Sequence, residues 1–221
     1  MDRYILGLLA SDGFTQCHIC KDGSKSYHSN LEMSEEQIIQ DICKIYNKPI
    51  HYRKRTIADK EREFWSVNFS NKEVGYYGKY LVKGRPHIKE LYDSFNEQDK
   101  IEFMRGVFDG DGSIIFKSLN NNSNKRHYRK TIGFSVNASQ ADMKLIIEDF
   151  AKTHNLILST YLDKRSNNTW YLSFNSKYSL EYIYHLFYDK KPNLKNTRKY
   201  NKFHEFYTIY CTDENERLEC S

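Results

Sequence analysis

Residues 5–13 read ILGLLASDG, and residues 104–112 read MRGVFDGDG. Both stretches follow one pattern: an apolar residue, any residue, Gly, two apolar residues, any residue, a small residue, Asp and Gly. A chain that contains the same motif at two distant places is expected to have two similar structural units. The two stretches therefore predict an internally duplicated fold.

The segments that follow the two motifs also match each other. A polar and β-branched stretch comes first in both halves. A helix with one apolar face is then predicted over residues 35–46 in the first half and residues 140–154 in the second. Each helix pattern ends at an asparagine, Asn47 or Asn155. The order of elements is therefore the same in both halves.

The clearest match between the halves lies further along the chain. Residues 65–72 read WSVNFSNK, and residues 170–177 read WYLSFNSK. Apolar and polar residues alternate in both, as a half-buried strand requires. The letters NNNSN at residues 120–124 predict a hairpin turn in the second half. Each half is thus predicted to run helix, hairpin, helix, hairpin, helix.

The boundary between the two repeats is predicted near residues 93–96. Ser94 or Asn96 could cap the helix that carries the second motif, because both side chains accept hydrogen bonds from free backbone amides. We expect the first repeat to span residues 1–93 and the second to span residues 94–221. The predicted fold class is α+β.

The spacing of small residues within the motifs indicates how the two motif helices pack. Residues 100–112 fit a helix in which Gly106 and Gly110 lie one turn apart on one face. Gly7 and Ser11 make the same pattern in the first motif. Small residues so spaced let two helix backbones approach closely, as is seen most sharply in membranes. We therefore expect the two motif helices to contact each other directly.

This packing would bring Asp12 and Asp111 to the same end of the helix pair. Each acid precedes a glycine, Gly13 or Gly112, that is expected to end its helix. Two carboxylates at helix C-termini are unfavourable unless a cation offsets them. Oxygen ligands suit Mg²⁺, and carboxylates bridged by metals recur in enzymes that hydrolyse phosphodiesters. One Asp-Gly pair could be a plain turn, but two in matching repeats favour a functional site.

The composition is that of a folded protein with a mild preference for polyanions. The chain has 221 residues, of which 39% are hydrophobic, and this suffices for a core. Its 34 Lys and Arg against 29 Asp and Glu give a net charge of +5, a weak indication of nucleic-acid binding. No apolar run approaches the ~20 residues of a membrane helix, and no signal peptide is evident. We expect a soluble protein that is not secreted, in the cytoplasm of a bacterium or phage-infected cell, or in an organelle.

The two nine-residue stretches resemble the LAGLIDADG motif of homing endonucleases, in the single-chain type that carries two motifs. Residues 103–113 (FMRGVFDGDGS) and 194–200 (LKNTRKY) are similar to signatures of the second half of that family. The resemblance implies two αββαββα halves joined by packed motif helices, with two antiparallel sheets forming a saddle in the DNA major groove. It also implies a site-specific double-strand endonuclease of intron homing that leaves short 3′ overhangs.

By the same resemblance, Asp12 and Asp111 are the metal-binding acids, aided by the backbone carbonyls of Ser11 and Gly110. The metal would be Mg²⁺ or Mn²⁺, and activated water would attack the scissile phosphate on each strand across a narrowed minor groove. A single chain with both motifs is expected to act as a monomer on double-stranded DNA.

The sequence departs from the family pattern at two kinds of position. The sixth motif residue is Asp109 in the second copy but Ala10 in the first, and this position is not a metal ligand in the family. The stretch after each second strand lacks the Lys or Gln that relatives often place there as a catalytic helper. By position, the candidates for a basic residue that assists catalysis are Lys199 in the second half and Lys83 in the first.

Strand alternation also predicts which side chains face DNA. The bulky apolar residues of each strand must face the helices, so the polar residues between them are expected to face the groove. Such side chains suit base edges and phosphates. The predicted DNA-binding residues are His18, His51, Arg53, Arg55, Phe64, Ser66, Asn68, Lys117, Arg126, Arg129, Ser159, Tyr161, Arg165, Tyr171, Ser173 and Asn175. The two faces differ in residue, and we therefore expect an asymmetric target.

Two alternatives of the same fold stay open at this point. One is a DNA-binding regulator that has lost cleavage, although such proteins usually lose one or both acids and this sequence has Asp12 and Asp111. The other is a maturase that helps the RNA of its host intron to fold, with or without DNA cutting. An intein is not expected, because the first motif begins at Ile5 and the chain ends Glu219-Cys220-Ser221.

Overall fold

The first half of the chain runs from a motif helix through two hairpins to a pair of helices. Its elements are α1 (Arg3–Ser11), β1 (Gly13–Ile19), β2 (Lys25–Met33), α2 (Glu36–Tyr46), β3 (His51–Ile57), β4 (Lys60–Phe69), α3 (Asn71–Leu81) and α4 (Ile88–Asp93). The strands form one antiparallel sheet in the order β1-β2-β4-β3. The motif helix begins where the Asp2 side chain accepts hydrogen bonds from the amides of Tyr4 and Ile5.

The second half repeats this order of elements. It consists of α5 (Glu97–Asp111), β5 (Gly112–Leu119), β6 (His127–Asn137), α6 (Ala141–Thr153), β7 (Leu158–Asp163), β8 (Thr169–Phe174), α7 (Lys177–Tyr188) and α8 (Thr197–Tyr210). Its sheet has the matching order β5-β6-β8-β7. The predicted α+β fold with two repeated halves is therefore confirmed.

The structure is a computed structural model that describes residues 1–119, 127–164 and 168–210, with only the backbone described for residues 116–119, 127–129 and 210. The predicted turn at residues 120–124 lies outside these ranges, as do Arg126 and Arg165. None of the helices within these ranges is long and apolar enough to cross a membrane.

Several predicted helix ends are confirmed, and one prediction needs correction. Asn47 and Asn155 both adopt the left-handed conformation just after their helices, with φ of 49° and 53°. The Asn96 side chain caps α5 by accepting a hydrogen bond from the amide of Asp99 at 2.9 Å, whereas Ser94 ends α4 instead. Among the described residues, each half contains one more α-helix than predicted, because α4 and α8 follow the third helix of their halves.

Each sheet buries one face under helices and leaves the other face open. Val67 and Phe69 in β4 are at most 1% exposed, and so are their counterparts Leu172 and Phe174 in β8. The residues between them face away from the helices, since side chains alternate along a strand. The alternation read from residues 65–72 and 170–177 is therefore confirmed, and it produces two open faces that flank the motif helices.

Candidate active site and nucleic-acid interface

The two motif helices cross at their glycines, as predicted. A Cβ atom on Gly7 would lie 2.1 Å from the carbonyl oxygen of Phe103, and one on Gly106 would lie 2.0 Å from that of Tyr4. Backbone atoms at this separation leave no room for a side chain on either helix. The small residues of the motifs therefore determine how closely α1 and α5 approach.

A second pair of small residues lies one turn closer to the acids. A Cβ atom on Gly110 would lie 2.0 Å from Ser11 Oγ and 3.3 Å from Asp12 Oδ2. Ser11 Oγ donates to a carbonyl within its own helix, with Gly7 O and Leu8 O both at 3.0 Å, so this polar group is satisfied where it is buried. The crossing thus continues to the C-terminal ends of both helices.

The glycines that follow the acids are required for a reason that the sequence did not reveal. Gly112 was predicted to end its helix, and α5 does end there, but the glycine is extended with φ of −68° and so does not need the left-handed conformation that often ends helices. A Cβ atom on Gly112 would lie 2.4 Å from the carbonyl oxygen of Phe108, and one on Gly13 would lie 2.5 Å from that of Leu9. The backbone approaches itself closely where each motif helix passes directly into the following strand. Glycine is therefore required at both positions.

Asp12 and Asp111 lie side by side at the ends of the motif helices, within hydrogen-bonding reach of each other. Both side chains remain open to solvent on one side. Loss of surrounding water, followed by the charge of Asp111, raises the pKa of Asp12 to about 6. Loss of water also raises the pKa of Asp111, while Arg85 and Lys199 oppose that rise. The pair is thus a site with excess negative charge.

A buried cation from the second half and a half-buried cation from the first half flank the acid pair. Lys199 in α8 is 7% exposed, and its Nζ donates to Phe108 O at 2.9 Å and to Gly110 O. Arg85 Nη2 donates to Ser11 O at 2.7 Å and to Gly13 O at 3.1 Å. Burial lowers the pKa of Lys199 to about 8 and also lowers the pKa of Arg85. Each motif helix therefore presents its last carbonyls to a cation.

The basic residue beside the first motif is Arg85, whereas position along the chain had suggested Lys83. Lys83 is exposed in the turn after α3, while Arg85 points back to the end of α1. The φ values of Gly84 and Arg85 are +82° and +47°, so the chain reverses sharply at this point. No sequence signal identified Arg85, because it lies in a loop whereas its counterpart Lys199 lies in a helix. The placement of Lys199 beside the second motif agrees with the prediction.

Asp109, at the motif position where the two copies differ, is fully buried and organises the start of α8. It accepts hydrogen bonds from Tyr4 Oη at 2.7 Å and from the amide of Asn196 at 2.8 Å. The Asn196 side chain in turn accepts from the amide of Lys199 at 3.1 Å. These contacts fix Lys199 against the motif helix, and Ala10 cannot provide them in the first half.

The oxygen donors at this site fit a hard divalent cation. Carboxylates from Asp12 and Asp111 meet there, and the carbonyls of Ser11 and Gly110, predicted as further ligands, accept hydrogen bonds from Arg85 and Lys199. Within the residues that the structure describes, no third carboxylate, His or Cys joins the pair. Water would complete the coordination, as is usual for Mg²⁺ bound by one or two carboxylates.

We expect the acid pair to lower the stability of the metal-free protein as the pH rises. Because the folded-state pKa of Asp12 is raised to about 6 from an ordinary value near 3.8, its stabilising contribution is present below about pH 4 and is lost as the pH passes through 6. In EDTA, the Tm of the parent should therefore fall relative to that of the Asp12→Asn variant between pH 4 and pH 7.5. A Tm difference between the two proteins that stays constant over this range would contradict the raised pKa of Asp12. Added Mg²⁺ should reverse the fall in the Tm of the parent.

The first open sheet face carries the DNA-binding residues predicted for that half. The register brings Arg53 opposite Phe64, and Asn30 Nδ2 donates to the side chain of Asn68 at 2.9 Å. Ser66 lies on this face but is only 8% exposed. Arg53 and Arg55 both bind Glu32 of β2, a residue that sequence reasoning missed. The predicted residues brought together here are His18, His51, Arg53, Arg55, Phe64, Ser66 and Asn68.

The second open face is aromatic and polar. The rings of Tyr161 and Tyr171 stack with centroids 6.5 Å apart and an interplanar angle of 23°. The Asn175 side chain contacts those of Ser159 and Ser173 at 3.4 Å and 3.2 Å. The strand register pairs Lys117 with Arg129, and their side chains lie outside the described part of the structure.

Together the fold and the site define a class of protein. It is a single chain with two repeats, each of which begins with a motif helix followed by a two-stranded hairpin. The two motif helices join the halves and place an acid pair between two open sheets. Solved structures of LAGLIDADG endonucleases share this architecture.

Three solved structures illustrate the similarity. The LAGLIDADG meganuclease I-AabMI bound to uncleaved DNA has a TM-score of 0.64 and 11% identity, over 98% of this chain and 92% of that chain. The homing endonuclease I-LtrWI bound to target DNA has a TM-score of 0.61 and 14% identity, over 96% and 90%. I-SmaMI bound to uncleaved DNA target in the presence of calcium ions has a TM-score of 0.59 and 11% identity, over 95% and 91%.

Sequence comparison agrees with the fold. Residues 104–210 match the model of the LAGLIDADG endonuclease family, which covers the second motif and the elements after it. The second half of the chain therefore matches this family, and the whole chain has the fold of single-chain LAGLIDADG meganucleases. No curated protein matches its sequence.

Proposed function

We propose that this protein is a site-specific double-strand DNA endonuclease that acts in intron homing. The observation that carries the proposal is the acid pair, Asp12 and Asp111, whose pKa values are raised at the point where both motif helices end between two open sheets. Paired carboxylates with excess negative charge favour a bound divalent metal, Mg²⁺ or Mn²⁺, which when bound would polarise the scissile phosphate and activate water.

The protein's own groups have distinct roles in this proposal. Asp12 and Asp111, with the carbonyls of Ser11 and Gly110, hold the metal. Arg85 and Lys199 neutralise charge that develops on the phosphate, one on each strand. Arg85 suits this role because it lies close enough to the acids for its charge to oppose the rise in pKa of both Asp12 and Asp111. The related arrangement in both halves supports one cut on each strand. The short 3′ overhangs in this proposal are what the resemblance to LAGLIDADG endonucleases implies.

The two sheet faces would bind the major groove on either side of the cut. At matching register positions, the first face has Glu32, Ser66 and His51, and the second has Ser135, Tyr171 and Tyr161. Since these faces carry different side chains, they would bind different half-sites. We therefore propose a long asymmetric target that is bound by a monomer.

A library of duplex sites tests the proposed function. The protein is incubated with the library and Mg²⁺, and the new DNA ends are sequenced; we expect cuts on both strands at one site and none in EDTA. Selective binding without new ends would instead support a non-cleaving regulator of this fold. Preference for structured intron RNA over duplex DNA would support a maturase.

Substitution of the cations Arg85 and Lys199 gives a separate prediction about the cleavage rate. Arg85→Met and Lys199→Met should each lower the single-turnover cleavage rate about 10²-fold, the usual cost of removing one charged donor from a developing anion. Binding in Ca²⁺ should change far less. Lys83→Met should stay near the parental rate, because Lys83 is exposed away from the helix end. A loss for Lys83→Met as large as that for Arg85→Met would restore Lys83 as the basic residue of the first half.

A further inference from the structure

An acidic residue lies on an inner strand of the first open sheet face. Glu32 is on β2, opposite Ser66 of β4, and its side chain is 14% exposed. A carboxylate on a surface that meets DNA is unfavourable by itself, because phosphates repel it. Its place on this face therefore needs a compensating contact.

Glu32 makes that contact with two arginines of β3. Its Oε1 forms an ion pair with Arg55 Nη2 at 2.7 Å. Its Oε2 accepts a hydrogen bond from Arg53 Nε and also forms an ion pair with Arg53 Nη2. Because β4 lies between β2 and β3, both guanidinium groups reach across β4 to the carboxylate. This crossing accounts for the 8% exposure of Ser66 beneath them.

The contact fixes both guanidinium groups in defined positions. Arg53 and Arg55 are two residues apart on one strand face, so their charges repel each other unless a carboxylate lies between them. Arg55 also packs over the ring of Phe64, with its guanidinium carbon 5.1 Å from the centroid. Side chains held in advance lose less entropy on binding.

Both arginines still have groups available to DNA. Their side chains are 54% and 41% exposed. A guanidinium offers five N–H donors in a rigid fork, so contacts with one carboxylate leave donors that can reach a base edge. Guanine, with O6 and N7 in the major groove, is the base edge that arginine pairs with best.

We propose that Glu32 is a specificity-determining residue that positions Arg53 and Arg55 to read guanines in the half-site bound by the first sheet. This inference rests on the proposed function, since it takes DNA as the partner of that face. It applies to one half-site alone, because Ser135 occupies the matching register position in the second sheet. Glu32 acts through the arginines and is a positioning residue.

The test is a binding selection from a duplex library in Ca²⁺, performed at two salt concentrations. The variants are Glu32→Gln, the double variant Arg53→Ala/Arg55→Ala, and all three changes together. The matched control is Glu61→Gln, which removes the same charge from the same sheet and breaks the ion pair of Glu61 with Lys54 at 3.1 Å. Melting temperatures confirm that every variant folds.

Glu32→Gln should reduce discrimination about tenfold at guanine positions of one half-site, while overall affinity rises because a negative charge is lost. It should have no further effect on the profile when both arginines are absent. Glu61→Gln should keep the parental profile.

An unchanged profile for Glu32→Gln, or an equal effect without the arginines, overturns the inference. A parent that selects no sequence contradicts the proposed function as well. These outcomes are distinct, because a selective parent with an unaffected Glu32→Gln variant removes only the role of Glu32.

Discussion

Asp12→Asn and Asp111→Asn should each abolish double-strand cutting while DNA binding stays largely intact. Both acids belong to the one pair that we propose to hold the metal, so the loss of either should lower the cleavage rate by at least about 10³-fold. Binding should be retained or slightly tightened, because each change removes a negative charge near the phosphates. Binding and catalysis are therefore expected to separate.

The measurement pairs single-turnover cleavage in Mg²⁺ with binding of the same duplex in Ca²⁺. Asp93→Asn is the matched control, since it removes an equivalent charge from α4 at a solvent-exposed ion pair with Lys89. It should cut at the parental rate. Full cleavage by the Asp111→Asn protein would remove the acid pair from consideration as the metal site.

Gly106→Ala should destabilise the protein and abolish cutting. The new Cβ atom would lie 2.0 Å from Tyr4 O and 2.9 Å from Leu8 N, which are backbone atoms that cannot rotate away. The helices would have to separate, and we expect a cost of about 3 kcal/mol in the free energy of unfolding. For a chain of this length, the Tm should fall by roughly 10 °C.

Gly75→Ala is the control for this prediction. Gly75 is also a helical glycine, in α3, but its added Cβ would meet only the end of the Asn71 side chain at 2.9 Å. Thermal melts should place this variant within about 1 kcal/mol of the parent, because alanine also favours the helix. Unchanged stability and cutting for Gly106→Ala would show that α1 and α5 do not need this separation.

The two-motif architecture was predictable because the small residues and the acids that it requires occur twice in the sequence. Gly7 and Gly106 must be small where the helices cross. In each copy the acid, Asp12 or Asp111, follows at the end of the same helix, directly before the first strand. Alternating residues in 65–72 and 170–177 likewise predicted which sheet faces are covered. The boundary between residues 1–93 and 94–221 stays a prediction, which the Asn96 cap of α5 supports.

The groups around the acids were not predictable in the same way. Arg85 reaches Ser11 across 74 positions, and Asp109 holds Asn196 across 87 positions. No local sequence pattern encodes such pairs. Taken alone, Arg85 looks like an ordinary arginine in a loop, and Asp109 looks like any acid of the motif. Glu32 is similar, since its arginines lie on β3 and meet it only after β4 has paired with both neighbouring strands.

The sequence by itself thus determined the repeat, the helix crossing and the acid pair, since local spacing and duplication specify them. The tertiary structure alone decided which cation neutralises the acids from the first half, why Gly112 must lack a side chain, and which carboxylate holds Arg53 and Arg55. The physical reason is that electrostatic contacts depend on distance in space, and chain folding sets that distance for residues far apart in sequence.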